Sequence, residues 1–252
     1  DANNKKTTAE YQDNNIQCFG YYEGESGVSG DYFDYKKLDD KWYCIIKCDA
    51  SGHGIPAAII MTVVATIFRR YFNNWTSEKK GTSLNKLVEQ INDFIEELGL
   101  KGKFATLIVC MLNVKTGELY MCNAGDNLVH IYDSATQKMK LVTLSSAPTA
   151  GVFTSDLVSL RGGFKVEKTV LNHGDILFLY TDGIEESARR IRESDYSVRK
   201  QDVGIKKINP DTHQEEIEHK FEDSKEEFGA ERVQKIIEAV YNKRKYTLTK
   251  LD

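Results

Sequence analysis

The chain has 252 residues, of which 40% are hydrophobic and 29% are charged, a balance typical of a globular domain with its own core. The formal net charge of −4 argues against a nucleic-acid-binding protein, which would carry a basic face. The most apolar run, Ile55 to Phe68, is shorter than the roughly 20 residues of a bilayer span and predicts a buried helix. Five cysteines, an odd number and without C-x-x-C spacing, predict reduced thiols in the cytoplasm.

Before residue 100 the sequence predicts a polar leader, short β-rich segments from Cys18 onwards that include one clear strand, and two helices. Residues 1–17 are polar and predict a leader or linker, either frayed or helical. A strand is predicted from Trp42 to Asp49, and a helix from Ala57 to Phe72 follows a glycine-containing turn. Apolar residues at three- and four-residue spacing predict a second helix from Leu84 to Leu98.

Short turns then separate six predicted strands. They form three predicted hairpins: 104–113 with 118–123, 127–132 with 138–142, and 166–171 with 175–180. Hairpins pair their strands antiparallel, so the sequence predicts an α+β fold rather than alternating βαβ units. We expect antiparallel sheets covered by helices.

The composition changes sharply after Ser187. Residues 188–227 are densely charged and predict a solvated, partly helical insertion. A helical pattern resumes from Glu231 to Tyr241. We therefore predict a single domain over 18–252 that carries this insertion.

Three acidic clusters lie at or just before predicted strand ends. They are GDYFDY with Asp31 and Asp34, DASGHG with Asp49, and TDGIEE with Asp182. Carboxylates are hard ligands suited to Mg²⁺ or Mn²⁺, and neighbouring glycines let backbone carbonyls and water approach an ion. A single aspartate of this kind is also typical of a turn or helix cap. Three clusters together favour a metal site.

Five motifs carry a more specific signal: GDYFDY, DASGHGIPAA, FATL, NAGD and LYTDGIEES. Their order and approximate spacing resemble those of the metal-dependent type 2C (PPM) serine/threonine phosphatases, most closely the bacterial RsbU and SpoIIE branch. The resemblance runs from about Gly20 to Ser187 and resumes near Phe228. It implies two stacked antiparallel sheets flanked by helices, with two Mn²⁺ or Mg²⁺ ions at one end.

The resemblance also implies a role for each matching residue. Asp31 would bind one ion, directly or through water, and Asp49 would bridge both. The backbone carbonyl of Ala50 would ligate one ion and Asp182 the other. Asp34 is a further candidate ligand, although its place in the motif is equally consistent with a structural role. Two such ions would lower the pKa of a shared water and screen the phosphate charge during in-line attack.

Three features leave alternatives open. His53 is either a general acid or a residue of the turn. Asp126 stands where histidine is common in the family's NAGH motif, so the role of that side chain does not carry over. The family's terminal D-D-[ILMV]-T motif has no match after Phe228. Its ligand is therefore truncated, replaced by an acid of the insertion, or lost.

The resemblance implies hydrolysis of phosphoserine or phosphothreonine on a protein partner. That partner would be a phosphorylated STAS-type anti-sigma-factor antagonist in bacterial signalling. The start at Asp1 and the polar leader suit a cytoplasmic output domain attached to an upstream sensor, soluble or membrane-bound, and a homodimer is left open. The incomplete acid set favours an alternative, a catalytically weak module that binds signalling partners. Hydrolysis of cyclic nucleotides or small phosphoesters by the same two-metal chemistry is a third hypothesis.

Overall fold

The computed structural model describes residues 6–12, 16–23, 29–76, 84–208 and 215–243. The chain forms two compact units, Asp1–Thr181 with Tyr241–Asp252, and Asp182–Val240. The first unit contains the sheets and the two long helices. The second contains a charged ribbon and most of the last helix.

The first unit is an α+β assembly. Its elements are β1 (Lys6–Gln12), β2 (Gln17–Glu23), β3 (Tyr32–Lys37), β4 (Trp42–Ala50), α1 (Gly54–Tyr71), α2 (Leu84–Glu97), β5 (Ala105–Asn113), β6 (Glu118–Ala124), β7 (Val129–Asp133), β8 (Lys138–Leu141), α3 (Ser155–Ser159), β9 (Val166–Val170) and β10 (Ile176–Leu179). Five strands form the larger sheet in the order β3-β4-β5-β6-β9, and three form the smaller sheet in the order β10-β7-β8. The paired strands are antiparallel, which confirms the predicted fold class.

The larger sheet buries both of its faces, and β4 shows how. Cys44, Ile46 and Cys48 point to one side and pack in a core with α1 and α2. Ile45 points to the other side, where Leu177 of β10 joins the core between the two sheets. A strand buried on both faces is expected to be almost continuously apolar, as the segment WYCII is.

Helix α1 lies against β4 and α2. Ala57, Ile60, Val64 and Phe68 form its buried stripe at helical spacing. Its length and composition alone would let it cross a membrane, but this stripe packs in the protein core as the sequence predicted. Ile55, on the opposite face, is 72% exposed. The helix therefore has one buried face rather than burial on most sides.

The predicted hairpin between 166–171 and 175–180 is wrong. Strand β9 pairs with β6 at the edge of the larger sheet, whereas β10 pairs with β7 in the smaller one. The intervening turn, in which Asn172 N donates to Asp175 Oδ2 over 2.8 Å, carries the chain between sheets. Leu171 and Leu177 then pack in the core between the sheets. Packing of these partly buried leucines between the sheets favours this arrangement over the local turn signal.

The predicted leader also contains regular structure. Lys6–Gln12 pairs with Gln17–Glu23 along its whole length, with Lys6 opposite Glu23 and Gln12 opposite Gln17. Threonine and tyrosine favour strands, and a partner strand satisfies their backbone hydrogen bonds. The expectation of a frayed or helical segment is therefore wrong for 6–12, and residues 1–5 and 13–15 lie outside the described part of the chain.

The second unit contains a two-stranded ribbon, not the partly helical insertion expected from its charge. Its strands are β11 (Ala188–Arg190), β12 (Lys200–Asp202), β13 (Ile205–Ile208), β14 (Glu215–Glu218), β15 (Phe221–Asp223) and β16 (Lys225–Glu227), followed by α4 (Ala230–Lys243). The strands pair as β11 with β16, β12 with β15 and β13 with β14. Arg189 bonds Glu226 over 2.7 Å, and Lys206 bonds Glu215 over 3.2 Å. Opposite charges on facing strands stabilise such a ribbon without an apolar core.

All five cysteines are free thiols, and four of them are buried. Burial raises the pKa of Cys44, Cys48 and Cys110 well above the ordinary value, and raises that of Cys122 to about 12. An unfolded thiol loses its proton near pH 8.5. The stabilising effect of these neutral thiols is therefore complete below that pH and is lost as the pH rises towards the folded pKa values.

We accordingly expect the melting temperature to fall progressively above about pH 9. A thiol reagent at about pH 8 should label Cys18, which is half-buried, much faster than the other four cysteines. Thermal melts across this pH range and timed labelling with mass spectrometry measure the two effects. The unfolded protein, in which all five should react together, is the control. Rapid labelling of a second cysteine in the folded protein would contradict the buried assignment.

Candidate metal-binding active site

Strands β3 and β4 bring two of the predicted ligands side by side. Their register pairs Tyr32 with Cys48, so the next position places Asp31 opposite Asp49. Directly opposed residues on antiparallel strands point to the same face of the sheet. Both aspartates are half-buried, so their carboxylates are shielded from bulk water on one side.

The alternation along β4 determines which face this is. Asp49 shares its face with Ile45, which packs in the core between the two sheets. Cys48 points the other way, towards the helices. The pair formed by Asp31 and Asp49 therefore lies at the end of the space between the sheets.

Gly30 lets the chain approach the backbone of Ala50 closely. Ala50 N donates to Gly30 O over 3.4 Å. A Cβ on Gly30 would lie 2.7 Å from the carbonyl oxygen of Ala50 and 3.0 Å from Cβ of Ala57. The absence of a side chain on Gly30 therefore leaves room for the carbonyl that the resemblance assigns to a metal ion.

The smaller sheet contributes Thr181, which lies two residues beyond the end of strand β10. Thr181 Oγ1 donates to Asp31 Oδ2 over 3.3 Å and so orients that carboxylate. Asp182, the next residue in the chain, is the first residue of the second unit, where it begins a short 3₁₀ turn and is exposed.

Charged side chains near this edge act on the buried thiol of Cys48. Burial raises the pKa of the Cys48 thiol, and the carboxylates of Asp49, Asp31 and Asp126 raise it further. The Lys47 ammonium, which is paired with Asp126, lowers the pKa of the same thiol. Among the described residues, no three His, Cys, Asp or Glu side chains are already gathered as a ligand set. The described geometry supplies a pair of carboxylates, Asp31 and Asp49.

Asp34 lies apart from this pair. Its strand neighbour two residues away, Tyr32, donates to Asp34 Oδ2 over 2.6 Å, and Arg69 Nε of α1 donates to the same oxygen over 2.8 Å. The bond to α1 places Asp34 on the helix-covered side of the sheet, opposite Asp49. These contacts favour the structural role that the sequence left open.

His53 lies at the N-terminal cap of α1. Its backbone is extended (φ −136°, ψ 174°), its side chain caps none of the helix N–H groups, and it is exposed. Gly52 and Gly54 on either side have φ of +79° and +74°, which favour glycine. This backbone geometry and exposure are those of a turn residue. A role for His53 as general acid stays a prediction.

Sequence reasoning missed Lys47. This residue is 5% exposed, and its ammonium donates to Asp126 Oδ1 over 2.9 Å, to Tyr180 O over 2.5 Å and to Leu128 O over 3.5 Å. Asp126, the residue that departs from the family motif, is therefore the partner of a buried lysine. The lysine within the apolar run WYCIIKCD was the available signal, because lysine is almost never fully buried without a partner.

Two stacked antiparallel sheets, helices on the outer face and paired carboxylates at one end of the intersheet space define a class, the type 2C-like phosphatase domains. The family model described as Stage II sporulation protein E (SpoIIE) matches residues 39–239. The chain belongs to this family.

Individual relatives agree with this assignment. Phosphoserine phosphatase RsbP of Bacillus subtilis is 26% identical over 214 residues, which cover 82% of this chain and 50% of RsbP. The chain spans 30% to 50% of the length of such curated relatives. The RsbU and RsbW domains of Rv1364c from Mycobacterium tuberculosis are 26% identical at a TM-score of 0.52, covering 68% of this chain and 43% of that one.

A further solved structure, RsbX in complex with magnesium, has a TM-score of 0.53 and 18% identity. The match covers 71% of this chain and 79% of RsbX. At this identity the likeness shows a shared fold.

Proposed function

We propose that this chain is a metal-dependent phosphatase that hydrolyses phosphoserine or phosphothreonine on a protein partner. The observation that carries the proposal is the placement of Asp31 beside Asp49 at the end of the space between two sheets, in a SpoIIE-family domain. The name of RsbP, a phosphoserine phosphatase, supports the same chemistry.

The donor chemistry of the site fits Mn²⁺ or Mg²⁺. Two adjacent carboxylates and a backbone carbonyl provide the hard oxygen ligands that these ions prefer. Asp31, Asp49, the carbonyl of Ala50 and Asp182 would hold two ions, and the magnesium complex of RsbX supports this metal class. When bound, such ions supply an acidic water as nucleophile and screen phosphate charge.

The residues of the chain have their own tasks in this mechanism. Asp31 and Asp49 concentrate negative charge where cations must be held, and the hydroxyl of Thr181 orients Asp31. The half-buried setting keeps bulk water away from one side of the carboxylates, which strengthens their attraction for cations. With water as nucleophile, no covalent phosphoenzyme is required. The buried cysteines take no part, because their raised pKa keeps them as thiols.

We further propose a phosphorylated STAS-type protein as substrate, and an upstream sensor that controls the domain in the cytoplasm. The relation to RsbP and to a chain that joins RsbU and RsbW domains supports a place in bacterial signalling. Five free thiols, four of them buried, suit a reducing compartment.

Phosphate release tests the proposal. The protein is assayed with p-nitrophenyl phosphate and with a phosphorylated STAS protein, each with Mn²⁺, Mg²⁺, Ca²⁺ or a chelator. We expect turnover with Mn²⁺ or Mg²⁺, loss of turnover with the chelator, and a preference for the protein substrate. Binding of the STAS protein without turnover in any metal would favour the scaffold alternative. A preference for the small ester would favour the third hypothesis.

A further inference from the structure

We propose that Lys47 is a positioning residue that fastens the segment leading to Asp182 against the strand that carries Asp49. This inference rests on the proposed function for its consequence in catalysis. Its structural part concerns only contacts within the first unit.

The ammonium of Lys47 joins three segments that are distant in sequence. It extends from β4 to the turn after β6 through Asp126 Oδ1 and Leu128 O, and to the end of β10 through Tyr180 O. A lysine ammonium has three N–H donors, and three acceptors lie within 3.5 Å of this one. Lys47 therefore bridges the larger sheet to the smaller one from inside the protein.

The Asp126 turn is itself held in shape. Asp126 Oδ1 accepts from Leu128 N over 3.1 Å, and Asn123 Nδ2 donates to Asp126 O over 3.1 Å. The carboxylate that receives Lys47 is thus fixed by its own turn. Because the Asp126 carboxylate is itself fixed, its bond restricts the position of the Lys47 ammonium.

The bond to Tyr180 is next to the site. Tyr180 is 4% exposed and its ring stacks on His130, with centroids 5.4 Å apart. The next residue, Thr181, donates to Asp31. Two consecutive residues are therefore held in place, Tyr180 by Lys47 and Thr181 by Asp31. The chain continues directly from them to Asp182.

Burial of this ion pair has a physical cost. Removing a lysine and a carboxylate from water is expensive, and apolar residues of similar volume often give equal or greater stability. Stability alone therefore does not account for a lysine two residues from Asp49 on the same face of β4. A role in fixing the position of the segment that leads to Asp182 does account for it, because charge-assisted hydrogen bonds have a defined length and direction.

The double variant Lys47→Met/Asp126→Asn tests the proposal. It removes both charges together, so that neither is left buried alone, and the side-chain oxygen of the new asparagine can still accept from Leu128 N. We expect hydrogen exchange to become faster in the peptide that contains Tyr180 and Thr181. We also expect a roughly tenfold to hundredfold weaker Mn²⁺ affinity by calorimetry and a similar loss of turnover, the range seen when groups that orient metal ligands are removed.

The matched control is Lys140→Met/Asp133→Asn, the same chemical change in an ion pair whose lysine is 57% exposed on the β7–β8 hairpin. It should leave exchange at 180–181, Mn²⁺ affinity and turnover unchanged. If the Lys47→Met/Asp126→Asn variant does not fold, Lys47→Gln/Asp126→Asn, which keeps a side-chain donor at position 47 and leaves no charge buried alone, is measured in the same way. Wild-type exchange and Mn²⁺ affinity in a folded Lys47 variant would overturn the proposal.

These readouts separate the inference from the proposed function. If the wild-type protein binds Mn²⁺ but turns over no phosphoester, the proposed function fails. Exchange at 180–181 and Mn²⁺ affinity would still decide whether Lys47 positions the site. If turnover is normal in the wild-type and in the folded double variant, the proposed function stands and the inference fails.

Discussion

Replacing Asp49 with asparagine should reduce metal-dependent phosphate release by at least ~100-fold, because loss of groups that only orient metal ligands already costs about 10–100-fold elsewhere. The substitution removes one of the negative charges with which the proposed site would hold its cations. It keeps nearly the same shape at the end of β4, where the side chain is half-buried, so the fold should survive. Initial rates over a Mn²⁺ series, with the melting temperature as a check of folding, measure the effect.

Asp34→Asn is the matched control for this substitution. Asp34 lies on the neighbouring strand and binds Arg69 and Tyr32 rather than the intersheet site. We expect turnover within about threefold of the wild-type value and a small loss of stability, since the Arg69 side of this ion pair is 69% exposed and partly exposed pairs contribute little. Near-normal turnover by a folded Asp49→Asn protein would refute the two-metal assignment, and equal losses in both variants would show that the two faces of the sheet are not distinct.

Replacing Ile60 with alanine should lower the free energy of unfolding by about 2–5 kcal/mol. Ile60 is fully buried in the stripe of α1 that packs in the core with the larger sheet and α2. The truncation removes apolar contacts and leaves a cavity that the surrounding side chains fill only in part. Chemical denaturation measures the loss.

Ile55→Ala, the same change on the same helix, provides the comparison. Ile55 is 72% exposed, so its truncation should change stability by no more than about 0.5 kcal/mol. Similar effects at the two positions would contradict the orientation of α1. The pair of variants therefore also tests whether this apolar helix is a core helix.

Much of the fold could be predicted because buried positions in a helix or strand recur as apolar residues at a regular spacing in the sequence. The three- and four-residue spacing from Leu84 to Leu98 predicted α2, which is observed at Leu84–Glu97. The apolar run WYCIIKCD predicted β4, because a strand buried on both faces needs apolar residues on both. The carboxylates Asp31 and Asp49 could be proposed as neighbours because each borders a glycine or a tight turn at a strand end.

Other features could not be predicted because they depend on competition between distant segments. The turn between β9 and β10 has the local signal of a hairpin, yet each strand has a partner in a different sheet. The segment 188–227, whose described parts 188–208 and 215–227 form the ribbon, has the charge density of a solvated helix. Its facing strands carry opposite charges, and pairing between them decides the structure.

The candidate site divides in the same way. The sequence by itself determined the family motifs, the oxygen-rich donors and the α+β class, because residue type and local period carry this information. Only the tertiary structure decided that Asp34 faces the helix α1, whereas Asp31 faces the space between the sheets. It alone paired Lys47 with Asp126, 79 positions apart. The physical reason is that a buried charge is stable only beside its partner, and the fold of the whole first unit brings the two together.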